Sequence, residues 1–148
     1  MSIFSSFVTL IELATHEAER ASARLGVAIQ AEEDTWRKLA LLEHYREDYK
    51  LSCQQDMVNG LSIWKYRNFQ VFLENIERAI VSLQEATRRA HEHVEIERNA
   101  WQEVERKRLS YKILDSQAAR RKLQMENKRD QKLMDEHAAR QHRHEYKS

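Results

Sequence analysis

The chain has 148 residues with no proline, two glycines and one cysteine, and a third of it is Asp, Glu, Lys or Arg. A composition so free of helix breakers excludes a compact mixed fold and points to long helices or coiled coil. The 25 basic and 24 acidic side chains nearly cancel, but residues 1–105 carry 12 basic and 18 acidic groups (net −6), and residues 106–148 carry 13 and 6 (net +7). That asymmetry directs the C-terminal segment towards an acidic partner or nucleic acid. Cys53 has no second thiol to pair with, so a reducing compartment is expected. No apolar run approaches the roughly 20 residues that span a bilayer. The opening MSIFSSFVTLIELA lacks a basic leader and soon meets Glu12, Glu17 and Glu19, so a mature, soluble, cytoplasmic chain is expected.

The first predicted element is a helix over 5–57. From Phe7, alternating steps of four and three reach Ile11, Ala14, Ala18, Ala21, Leu25, Ala28, Glu32, Thr35, Leu39, Leu42, Arg46, Tyr49 and Cys53. Most of these are apolar, and a repeat averaging about 3.5 residues is the coiled-coil period. Gly26 falls just beside this stripe, where close backbone approach is the expected reason for a glycine.

A turn is predicted over 58–62. Asn59-Gly60 has no alternating strands around it and therefore does not mark a β-hairpin. Gly60 suits the left-handed conformation that closes a helix, and Ser62 is the expected N-cap of the next one.

The paired part of the second helix is expected over 63–111. The same rule restarts at Phe69 and gives Leu73, Ile76, Ile80, Leu83, Thr87, Ala90, Val94, Glu97, Trp101, Val104, Arg108 and Tyr111. In an antiparallel hairpin, facing positions have residue numbers that add to a constant. Tyr49 with Phe69, Leu42 with Ile76, Thr35 with Leu83 and Ala28 with Ala90 all give 118, and Leu39 with Ile80 and Ala18 with Trp101 give 119. The fold predicted is all-α: one coiled-coil domain of two long antiparallel helices, each paired arm on the order of 75 Å at 1.5 Å per residue. Glu32 against Thr87 is a polar layer in that seam, a register device or a solvated gap.

Beyond it lies a basic extension over 112–148, expected to protrude as a single helix. Leu114, Ala118, Met125 and Leu133 give it a thin apolar stripe. Arg106 to Arg108, Arg120-Arg121-Lys122 and Lys128-Arg129 could hold phosphates, but acids are interleaved and stacking aromatics are scarce, which argues against nucleic acid. His91 and His93 point to nearly opposite sides of a helix. His137, His142 and His144 have no Cys or carboxylate at ligand spacing, so no metal or other cofactor is expected. Cys53 is expected as a buried structural thiol. No glycine-rich phosphate loop is present and a two-helix rod has little concavity, so the chain is not expected to be an enzyme.

One apolar feature exceeds what a seam needs. Leu42, Tyr45 and Tyr49 on the first helix, and Phe72, Ile76 and Ala79 on the second, form a further stripe that two helices cannot wholly cover. Partly exposed aromatic and aliphatic residues of this kind mark a docking surface.

These residues carry a resemblance. Tyr45 and Tyr49, Asp56 to Gly60 at the turn, Phe69-Gln70-Val71-Phe72, Glu77 to Ile80, Trp101 and the run ENKRDQKLMDEHA over 126–138 are similar to the FliJ family of bacterial flagellar type III export. The resemblance covers nearly the whole chain, with His137 and the histidine-rich end departing from it. It implies a non-catalytic antiparallel coiled coil, like the central stalk of rotary ATP synthases, needed for flagellum assembly and motility. Implied partners are the hexameric export ATPase (FliI), whose pore receives the helical termini, the export gate protein FlhA, and escort chaperones, with FliH as a further candidate. The resemblance puts gate binding at Leu42, Tyr45, Tyr49, Phe72, Ile76 and Ala79. ATPase-ring binding would fall at Arg120, Arg121, Lys122, Gln131, Lys132 and Met134. It also implies peripheral association with the inner membrane at the gate, and a monomer when alone. Two other readings of the same residues stand beside it: a plain interaction coiled coil pairing as a homodimer, and a helical nucleic-acid-binding arm.

Overall fold

The computed structural model describes residues 3–146, with side chains from residue 7 onward. Two helices make up nearly all of it: α1, Ile3–Val58, and α2, Ile63–Tyr146. They pack against each other as an all-α hairpin, without a strand among the described residues.

The turn between them is built as its residues dictate. Asn59 N–H still donates to the Gln55 carbonyl at 3.2 Å, whereas Gly60 N–H reaches only Met57, at 3.4 Å. Gly60 itself has φ +91°, a conformation that Cβ-bearing residues resist, and the helix stops there. Ser62 then caps α2: its Oγ accepts from Lys65 N–H at 3.3 Å and its carbonyl accepts from Tyr66 N–H at 3.0 Å. The expected helix stop and N-cap are both present.

The chain divides into two compact units. In the unit formed by Glu19–Gln102, every position of the 3.5-residue stripe is buried or half-buried, from Ala21 to Cys53 on α1 and from Phe69 to Trp101 on α2. Leu39, Ile76 and Ile80 form its densest core, with Leu42, Tyr49 and Leu83 packed against them. This is the neighbourhood that the constant-sum register requires. Further along the seam the buried side chains shrink to Ala28 and Ala21, with Val94 the largest fully buried one. Cys53 is half-buried rather than enclosed.

The polar layer is satisfied within the unit. Thr87 is buried and its hydroxyl donates to the Leu83 carbonyl at 2.7 Å, while Thr35 donates to the Glu32 carbonyl at 2.7 Å. The Glu32 carboxylate turns to the edge of the seam, 3.0 Å from His91 Nδ1, and Glu97 likewise meets Arg24 at 3.4 Å. These two pairs cross from helix to helix. On the outer face of α2, Glu85 accepts from Arg88 (2.5 Å) and Arg89 (3.3 Å), and Arg88 also pairs with Glu92. The hydrogen bonds from Arg88 hold the Glu85 carboxyl down to about 2.

In the second unit, whose described residues are 3–18 and 103–146, α1 contributes half-buried Phe7 and Ile11 and buried Ala14 and Ala18. Val104, Arg108 and Tyr111 of α2 are half-buried, and the same stepping continues to half-buried Asp115 and Ala118. Asp115 Oδ1 is buried without a hydrogen-bond partner among the described residues. From Ala119 to Tyr146 every residue of α2 is exposed.

The structure corrects the reading of Gly26. A Cβ built there would meet nothing within 4 Å, so no close backbone approach explains this glycine. It lies on the open side of α1, where the alanine-rich seam does not reach it. The two glycines should therefore respond oppositely to alanine. Gly26→Ala should raise stability by about 0.5–1 kcal/mol, through helix propensity and a less flexible unfolded chain. Gly60→Ala should lower it by about 1–2 kcal/mol, the cost of a left-handed alanine. Denaturant melts followed by circular dichroism check both.

Candidate functional site

An aromatic ledge occupies one flank of the Glu19–Gln102 unit. The Tyr49 ring packs against both Phe69 and Phe72, with centroids 4.9 Å and 4.5 Å away, and Tyr45 meets Phe72 edge-on at 6.4 Å. Tyr49 and Phe69 are a seam pair, which anchors the group in the hairpin. Phe72 and Tyr45 continue it outward and are 40% and 51% exposed, too open for core residues of their size. Burial raises the Tyr49 phenol above its ordinary value, with neighbouring Cys53 and Tyr45 adding to the effect.

The six residues expected at this surface are placed at three depths. Ile76 is buried at 6% and belongs to the core with Leu39 and Ile80. Leu42 and Tyr49 are half-buried at the rim of that core, and Tyr45, Phe72 and Ala79 are exposed above it. The result is a ledge whose base is tied to the core, because Tyr49 packs on that core and touches both Phe69 and Phe72. Rigid aromatic anchors lose little side-chain entropy on binding, and such groups dominate protein interfaces.

The second expected set lies in the other unit. Arg120, Arg121, Lys122, Gln131, Lys132 and Met134 are all exposed on the uncovered part of α2. Arg120 and Gln131, like Arg121 and Lys132, are eleven residues apart, close to three helical turns, and so share a face. The thin apolar stripe is solvated here: Leu114, Met125 and Leu133 are all exposed, as are Leu123 and Met134.

Two features were missed by the pattern of the sequence. His91, read only as a metal-ligand candidate and rejected, is the cross-helix partner of Glu32. The other is at the turn, where Met57, Val58, Ile63 and Trp64 all lie exposed. The signal for them was present in apolar residues crowded around Asn59-Gly60 outside the seam repeat.

Among the described residues, no group of three or more His, Cys, Asp or Glu side chains is placed to hold a metal ion. None of the described helices is long and apolar enough to cross a membrane. The depressions lined by Glu74, Glu77, Arg78, Val81 and Ser82, and by Leu133, Met134, His137, Ala138 and Gln141, each lie between side chains of the single helix α2. The described residues thus form a helical hairpin, with an aromatic ledge in one unit and an uncovered charged helix in the other.

Its sequence relatives are of one kind. The family model described as "Flagellar FliJ protein" matches residues 4–147. The flagellar FliJ protein of Escherichia coli K12 is 29% identical over 140 residues, covering 95% of each chain. That of Salmonella typhi is 27% identical over the same length, again covering 95% of each. The chain belongs to the FliJ family, non-catalytic components of flagellum biogenesis and flagellar protein export.

Proposed function

We propose that the chain joins the hexameric export ATPase to the export gate of the flagellar apparatus, and that it does so by docking alone. The observation that carries this reading is the aromatic ledge: Tyr45 and Phe72 held out of the core by a seam-anchored Tyr49. In this reading the ledge is where the cytoplasmic domain of the gate protein FlhA binds. Leu42 and Ala79 line the contact, and Ile76 holds the ledge from below.

The ATPase ring, FliI, takes the uncovered part of α2 through Arg120, Arg121, Lys122, Gln131, Lys132 and Met134. A helix exposed on every side suits insertion into a pore, where all its faces meet protein. Its basic charges draw it to acidic ring walls at long range. FliH and escort chaperones dock on the same protein, which associates with the inner membrane through the gate. ATP hydrolysis in the ring is thereby coupled to the gate without chemistry on this chain.

The ledge test is the replacement of Tyr45, Tyr49 and Phe72 by alanine. Affinity for the purified gate domain, measured by calorimetry, should fall by about tenfold or more while helicity by circular dichroism is kept. Unchanged gate affinity in the triple variant would defeat the assignment. For the second site, Arg120→Gln, Arg121→Gln and Lys122→Gln together should weaken binding to the ATPase ring and flatten its dependence on salt. A complex that is unaltered at every ionic strength would remove the electrostatic role.

A further inference from the structure

The apolar residues at the turn have no part in the seam, the ledge or the uncovered helix. Val58 is 87% and Trp64 72% exposed, and Met57 and Ile63 are both more than half exposed. Holding four such side chains in water is unfavourable, and the turn does not need them: Asn59, Gly60 and Ser62 already end one helix and start the next. Met57 and Ile63 line one shallow depression with Leu61 and Tyr66, so residues from both sides of the turn meet there.

The charge around them is equally particular. Between Met57 and Leu73 the only charged residues are Lys65 and Arg67, although residues 1–105 as a whole carry a net of −6. Arg67 lies over the Trp64 indole, 5.7 Å from the ring centre, so a cation and an amphipathic ring are presented together. Trp and Tyr beside Lys and Arg, with aliphatic side chains leading, is the composition that settles at the headgroup boundary of a bilayer. Asp56 and Glu74 bound this stretch, so its positive charge is local to Lys65 and Arg67. An anionic surface meets them with opposite sign.

We infer that the turn is an interfacial membrane contact, in which Val58, Ile63 and Trp64 enter the headgroup boundary of an anionic phospholipid bilayer while Lys65 and Arg67 pair with lipid phosphates. This goes beyond the docking of the ledge and does not depend on it. The contact is weak and reversible, since three apolar side chains and two charges fall far short of a spanning helix.

The test uses the full chain and vesicles of phosphatidylcholine with a quarter phosphatidylglycerol, some of it carrying brominated acyl chains that quench tryptophan. Quenching is expected with the native chain and should be lost in Trp64→Ser. Val58→Ser with Ile63→Ser, Trp64 being retained, should cut the quenching and lower the vesicle-bound fraction about tenfold at equal lipid. Lys65→Glu with Arg67→Glu should abolish the preference for phosphatidylglycerol over phosphatidylcholine alone. Circular dichroism of each variant confirms that the helices are kept. Binding without quenching, or binding that no turn variant alters, would assign the lipid contact to the basic residues of 106–148 and overturn the inference. It would be overturned equally if the turn variants lost affinity for the purified gate domain and kept their hold on vesicles.

Discussion

The structure depends on one pairing, the burial of a narrow stripe on α1 against a matching stripe on α2. Helical propensity alone leaves a helix in water marginal, and tertiary packing of an apolar face supplies most of its stability. Here that packing is uneven. Leu39, Ile76 and Ile80 bury large side chains together, and truncating any one of them would cost about 2–5 kcal/mol. Ala14, Ala18, Ala21 and Ala28 are buried too but bury much less area each. Hydrophobic stabilisation is therefore concentrated in the part of the Glu19–Gln102 unit that carries the aromatic ledge.

Function follows from what that stripe leaves uncovered. A two-helix seam is only as wide as two side chains, so an apolar residue one step off it stays at the surface. Phe72 is such a residue: Phe69 and Ile76 turn inward around it, and it leans on Tyr49 and Tyr45 instead. Seam and ledge share Tyr49, so the ledge inherits the order of the core. The uncovered residues 119–146 have no such support, and every one of them is exposed along their single helix. In the proposed function the two surfaces dock differently, the ledge as an ordered flank of the seam and the uncovered helix as a segment completed by its partner.

Most of the fold was legible because a period of 3.5 residues is a geometric statement about which side chains share a face. The register that pairs Tyr49 with Phe69 and Leu39 with Ile80 reappears in a ring contact and in a shared core. Flanking contacts were not legible. Whether Glu32 reaches His91 depends on the rotation of each helix about its axis, which spacing alone does not set. Gly26 misled because an alanine-rich neighbourhood suggests close backbones, while its own position, one step beyond Leu25, faces away. The ledge was visible as a surplus of apolar residues, but not its layering, with Ile76 below and Phe72 above. The apolar turn escaped because a short segment outside the repeat has no phase to read.

The central claim is that α2 is packed along its seam stripe but uncovered beyond Ala118. Hydrogen–deuterium exchange of the isolated chain, resolved along the sequence, tests it directly, since amide protection reports local stability. The account predicts slow exchange over 73–94, where Ile76, Ile80, Thr87 and Val94 are buried, and much faster exchange over 119–146. Equal protection of the two segments in the isolated chain would contradict it, because a helix with no packed face has nothing to slow its opening.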